Sequence, residues 1–206
     1  MIDMIERRFP TLGHGVLKHE FLSTAAAFGV LVLLGFGGAL AFPDLAQRAF
    51  EHFTRQIEQL GLSSDVPQQQ MMATLFFNNV VAALLSMLYG LIPFLPLSAL
   101  SIGTNALLLG VFAAIYQQQG LGLGVYLLGI LPHGIFELTG LILACAMGLL
   151  LCRTGTDRLL RSKEALPLWP RLLDCLRAFL LLVAPLLLLA ALVEAYVTPL
   201  LIDLAI

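Results

Sequence analysis

Residues 127–148 read LLGILPHGIFELTGLILACAMG. At 1.5 Å of rise per residue this stretch is about 33 Å long as a helix, enough to cross a hydrocarbon core of roughly 30 Å. It does not alternate apolar with polar residues, so it is no strand of a membrane barrel. The rest of the chain is of the same kind. Of 206 residues, 59% are hydrophobic and 12% charged, with a mean hydropathy of +0.93. An ordinary soluble domain holds roughly 45–50% and about 25%. Such a mixture cannot make a water-facing surface, so the sequence predicts one integral membrane domain over 1–206, an all-α polytopic bundle embedded in the lipid bilayer.

The apolar runs predict five transmembrane helices, at about 20–42, 75–95, 98–117, 125–151 and 178–200. Pro93 and Pro96 mark a tight turn between the second and third, and QQQGLGLG (117–124) marks the next. Lys and Arg set the orientation. Arg153, Arg158, Arg161, Lys163, Arg171 and Arg177 stand between the fourth and fifth runs, and Arg7, Arg8 and Lys18 precede the first. Both basic segments belong in the cytoplasm, which five crossings allow and which puts the C-terminus outside a plasma membrane. Residues 43–74 are then outside, with Arg48 and Arg55 outnumbered by Asp44, Glu51, Glu58 and Asp65.

That outer segment contains an amphipathic helix. Pro43 suits a first helical position, Asp44 favours the positive dipole end and Gly61 suits a left-handed close. Leu45, Ala49, Phe50, Phe53, Ile57 and Leu60 fall on one face, which lies on lipid, caps the bundle or docks a partner. Phe9, Leu12, Val16 and Leu17, and the run around Trp169, have the make-up of segments lying on the inner leaflet. Cys145, Cys152 and Cys175 show no paired spacing and read as reduced thiols. The polar start, with Asp3, Glu6 and Glu20, is unlike a signal peptide. A net charge of -2 gives no basic field, so no nucleic acid is expected as a partner.

Asp, Lys or Arg at the centre of a membrane helix costs about 2.5–3.5 kcal/mol on insertion scales, and buried ionisable groups of this kind call for partners. His133 and Glu137 are four apart and share a face with Gly129, Gly140, Ala144 and Gly148. The second helix carries Asn79, Ala83, Ser86 and Gly90 in a stripe, with Asn78 beside it; the third carries Ser101 and Asn105 with Gly103, Ala106 and Gly110. By helix rise, Asn79, His133 and Glu194 lie roughly 7–9 Å toward the outer face, and Glu137 and Asn105 near the centre. The expectation is one buried cluster of Asn78, Asn79, Asn105, His133, Glu137 and Glu194, with Pro132 kinking or breaking its helix. Its chemistry stays open. It is a hydrogen-bond network that fixes packing, a proton or solute path, a metal shell built on His133 and Glu137 and completed by Glu194 or an Asn, or a base for Ser86, Ser98 or Ser101. Gly35, Gly37 and Gly38 in the first helix suit close packing, either within the chain or in a homodimer.

FFNNVVAALLSMLYG (76–90), IGTNALLLG (102–110) and PHGIFEL (132–138) together resemble the stage II sporulation protein M family, over about residues 20–200. The motif positions are Asn78, Asn79, Gly90, Asn105, Gly110, Pro132, His133, Gly134 and Glu137; where the family often has Asn-Gly, this chain has Asn105-Ala106. The resemblance implies five helices with the N-terminus inside. It also implies a part in endospore engulfment, as a membrane scaffold for sporulation proteins D and P or other peptidoglycan hydrolases. Catalysis then belongs to the partners, and no cofactor is implied. A small permease with a His–Glu path is the alternative, and an intramembrane metalloenzyme the next.

Overall fold

In the computed structural model the described residues are 1–13, 15–59, 66–162 and 166–204, with side chains left aside at 57–59 and 203. They are helical, with no strand among them: α1 (Ile2–Arg8), α2 (Val16–Ala41), α3 (Pro43–Gln59), α4 (Gln68–Leu88), α5 (Leu97–Gln118), α6 (Gly122–Leu159), α7 (Leu168–Ala178), α8 (Ala184–Leu192) and α9 (Thr198–Asp203). Five stretches are long and apolar enough to cross a membrane: Val16–Ala41, Gln68–Leu91, Leu97–Gln118, Gly122–Leu159 and Leu168–Ile202. The expected number of spans is therefore present, with three bounds moved. The second span starts earlier, α6 runs on to Leu159, and the fifth begins at Leu168. The fourth and fifth spans thus reach into the basic segment expected between them. Leu60, Gly61, Asp65, Lys163 and Glu164 lie outside the described residues, so the expected glycine close of α3 does too.

α6 does not break at Pro132. The proline sits inside a continuous helix. A helix in lipid tolerates one lost backbone hydrogen bond where neighbouring groups re-satisfy the freed carbonyl. In the fifth span two prolines have a clearer effect. Phe179–Val183 and Val193–Val197 are π-helical turns, and each ends two residues before a proline, Pro185 and Pro199. An extra residue in the turn moves the carbonyl away from the ring that would strike it.

The chain divides into two compact units, and the division falls within the long helices. The first comprises Met1–Ala27, Val80–Ile102 and Leu138–Leu186. Its core holds Leu143, Ala144, Met147, Leu150, Leu151, Phe179, Val183 and Met87. Gly90 and Gly148 lie backbone to backbone, and a Cβ on Gly90 would overlap the Gly148 carbonyl. Beside them the Ser98 hydroxyl donates to the Ser86 carbonyl at 2.6 Å and the Ser86 hydroxyl to that of Ser98 at 3.4 Å. The turn between α4 and α5 is as tight as Pro93 and Pro96 imply. Phe94 takes a positive φ there, and the Thr156 hydroxyl accepts its N–H at 2.9 Å.

The N-terminal segment corrects one expectation. Ile5, Phe9, Leu12 and Leu17 are buried in this unit, so they do not lie on lipid. What holds them is polar. The Thr11 hydroxyl donates to Asp174 Oδ2 at 2.7 Å, while Arg171 donates from Nε to the Thr11 carbonyl at 2.9 Å and from Nη1 to the Thr154 hydroxyl at 2.6 Å. Arg171 and Asp174 are buried here, whereas Trp169 stays exposed.

The second unit comprises Phe28–Asn79, Gly103–Glu137 and Leu187–Ile206. In it α2 and α5 approach through Gly35, against the Leu107 backbone, and Gly110, against that of Val32. Of the glycines read as a packing run, Gly35 is used within the chain; Gly37 and Gly38 have open space around them. α3 starts at Pro43 with Asp44 in its first turn, as expected. Its apolar face meets α5: Phe50 and Phe53 pack on Phe112 with ring centroids 5.3 and 4.9 Å apart, and Ala46 joins Ala39, Ala114 and Ile115. The helix is rolled slightly from its expected face, so Leu45 is exposed.

Candidate polar site in the second unit

His133 and Glu137 are one turn apart on α6, and the fifth span brings Glu194 to them. One ligand atom from each of the three lies within 4.8 Å of the others. His133 Nε2 is 4.0 Å from Glu137 Oε2, and both side chains are largely covered, at 12% and 23% exposure. Glu194 sits in the π-helical turn Val193–Val197, whose altered register aims one residue differently from a regular helix.

A fourth residue completes the arrangement. Thr198 is buried, and its hydroxyl donates to the Val193 carbonyl at 3.3 Å. Its oxygen lies 3.4 Å from His133 Nδ1, a pairing whose direction depends on the imidazole tautomer. With Nδ1 carrying the proton toward Thr198, Nε2 presents its lone pair to the carboxylates. The Val193 carbonyl also accepts the backbone N–H of Thr198 in the π-helical turn.

The three Asn residues of the expected cluster go elsewhere. Asn78 and Asn105 are exposed and Asn79 is half-buried, so the six-residue buried cluster is corrected to His133, Glu137 and Glu194 with Thr198. Depth along a helix was legible, but not direction around it. Asn105 is about 100° from Ala106 on the helix wheel, and the buried stripe of α5 is Gly103, Ala106 and Gly110. Asn78 is turned in the same way from Asn79, Ala83 and Ser86. Of the serines weighed as nucleophiles, Ser86 and Ser98 serve each other's carbonyls, while His133 meets Thr198 and Glu137. The cysteines are free thiols, all three buried.

The glycines singled out in the sequence do separate work. Gly90 and Gly110 are the points of backbone contact already described, and Gly134 is buried with Ile130 Cγ2 3.3 Å from where a Cβ would be. The sequence profile of Stage II sporulation protein M matches residues 24–199. The chain belongs to the Stage II sporulation protein M family. As a member it is a sporulation-related membrane protein, and the family is not one of known enzymes. The matched residues take in the second, third and fourth spans entirely, most of the first and fifth, and the whole of the His133 site. Comparison with curated proteins and with solved structures gave no match.

Proposed function

We propose that the protein is a non-enzymatic membrane scaffold that gathers peptidoglycan-degrading enzymes during engulfment, the sporulation proteins D and P among them. Family membership is the observation that carries this reading. α3 supplies a surface for it. Its apolar side is taken up by Phe112, while Gln47, Arg48, Glu51, His52, Arg55 and Gln56 stay exposed and form the side open to a partner. The basic residues of 1–18 and 153–177 support an orientation with the N-terminus in the cytoplasm, and α3 and the C-terminus outside, where peptidoglycan is.

The test is a mild-detergent pull-down of the tagged protein from cells during sporulation, with partners identified by mass spectrometry. Peptidoglycan hydrolases should be recovered with the unaltered chain and depleted with an Arg48→Glu, Arg55→Glu variant. A hydrolase-free eluate would overturn the scaffold.

A small permease is the second reading, favoured by the meeting of His133, Glu137 and Glu194 within a bundle of apolar helices. It requires proton or solute flux in reconstituted vesicles to fall in a His133→Ala, Glu137→Ala double variant. Unchanged flux removes it.

A further inference from the structure

We propose that His133, Glu137 and Glu194 form a site for one divalent cation of the zinc class, bound through one imidazole nitrogen and two carboxylate oxygens. The site is independent of the scaffold reading and stands or falls separately.

The donor set has the right chemistry. Zinc and its neighbours accept His nitrogen at about 2.0–2.1 Å and carboxylate oxygen at about 2.0–2.2 Å. A tetrahedron of that size has edges of about 3.4 Å. The His133 Nε2 to Glu137 Oε2 separation is 4.0 Å, and all three donor atoms lie within 4.8 Å. Side-chain torsions alone close a gap of that size. The separation is also too long for a direct hydrogen bond.

The hydrogen bonds behind the imidazole are a second and independent observation. A metal-bound histidine characteristically donates its other ring N–H to an oxygen, which fixes the tautomer and the ring plane. Here Thr198 Oγ1 lies 3.4 Å from Nδ1 while its hydroxyl donates to the Val193 carbonyl, which makes it the acceptor in the tautomer that protonates Nδ1. The chain of donors thus runs from Nδ1 to Thr198 to Val193, and it leaves Nε2 as a lone pair facing carboxylate lone pairs. Acceptors that face one another away from water need a proton or a cation between them. A dication meets the need of all three at once. Three protein ligands also leave a fourth position of the tetrahedron for water or a further donor.

The experiment uses the full-length protein in detergent, stripped with a chelator and dialysed against Zn2+, with bound metal counted by mass spectrometry. Co2+ replaces Zn2+ for absorption spectra. The unaltered protein should take up one equivalent, and Co2+ should give the visible bands of a four- or five-coordinate site. Glu194→Gln, a near-isostere, should lower affinity by about tenfold or more while eluting as the unaltered protein does. Thr198→Val should weaken binding by about 10–100-fold, and Thr198→Ser should restore it. Uptake of less than half an equivalent at saturation overturns the site, and would mean that a proton holds the three side chains together. Uptake that Glu194→Gln and Thr198→Val leave unchanged also overturns it, since the metal would then be on other histidines. Should Glu194→Gln not fold, the stoichiometry of the unaltered protein and the Thr198 pair decide.

Discussion

Arg171 shows how far a residue's sequence setting can mislead. It stands among Arg158, Arg161, Asp174 and Arg177, and that run reads as a basic cytoplasmic segment lying on the inner leaflet. In the structure it is buried and donates to Thr11 and Thr154. Hydrogen bonds from a charged donor contribute about 1.5–3 kcal/mol each, and loss of the donor leaves buried acceptors unpaired. Arg171→Ala is therefore expected to lower stability by about 2–5 kcal/mol, read from thermal unfolding in detergent, and to raise amide exchange over residues 2–12. An exchange pattern unaltered in that segment would mean that Ile5, Phe9 and Leu12 hold it without the arginine. No local pattern announces this pair, because Thr11 and Arg171 are separated by most of the chain. His133 and Glu137 are the opposite case. Four residues on a helix are one turn, so their meeting needed nothing but the helix. Glu194 was legible as a costly carboxylate seeking a partner, whereas Thr198 was not, since its hydroxyl gains its role from the π-helical turn that sets it on the Val193 carbonyl.

At the scale of the element, composition settled which segments are helices, and proline and hydrogen bonding settled how they are built. Apolar runs of twenty residues have one stable form in lipid, where each backbone N–H and carbonyl must be satisfied within its own segment. That is why the five spans could be read in advance. The ends could not, because the runs fade into charged residues that a helix accommodates equally well; α6 carries Arg153, Asp157 and Arg158 on its last turns. Proline was read as a breaker at Pro132, yet the widened turns came before Pro185 and Pro199. The difference is functional in its effect. The turn before Pro199 is the one that carries Glu194 to α6, so the geometry of the site follows from a helix defect and not from a regular face. α3 makes the same point about faces. Its amphipathic pattern is plain in the sequence, but a pattern gives no partner, and here the chain's own Phe112 fills much of that role.

At the scale of the molecule, five crossings would set the two ends of the chain on opposite sides of the membrane, and the proposed orientation takes the basic residues as its guide. That proposal assigns Arg158, on the last turn of α6, to the cytoplasmic side with the N-terminal Arg7 and Arg8, and Arg48, on α3, to the outside. Cysteine labelling separates these cases cleanly, because Cys145, Cys152 and Cys175 are buried and react slowly with a polar maleimide. In intact cells from which the wall has been removed, an Arg48→Cys chain should label with a membrane-impermeant maleimide. An Arg158→Cys chain should label only after permeabilisation. The reverse pattern would invert the protein and put α3 in the cytoplasm, where it could not meet enzymes that cut peptidoglycan. Labelling of both positions from outside would require an even number of crossings between them in place of the three expected, and would end the five-span reading. The expected pattern joins the charge distribution to the scaffold reading, because only then does the exposed polar side of α3 face the wall.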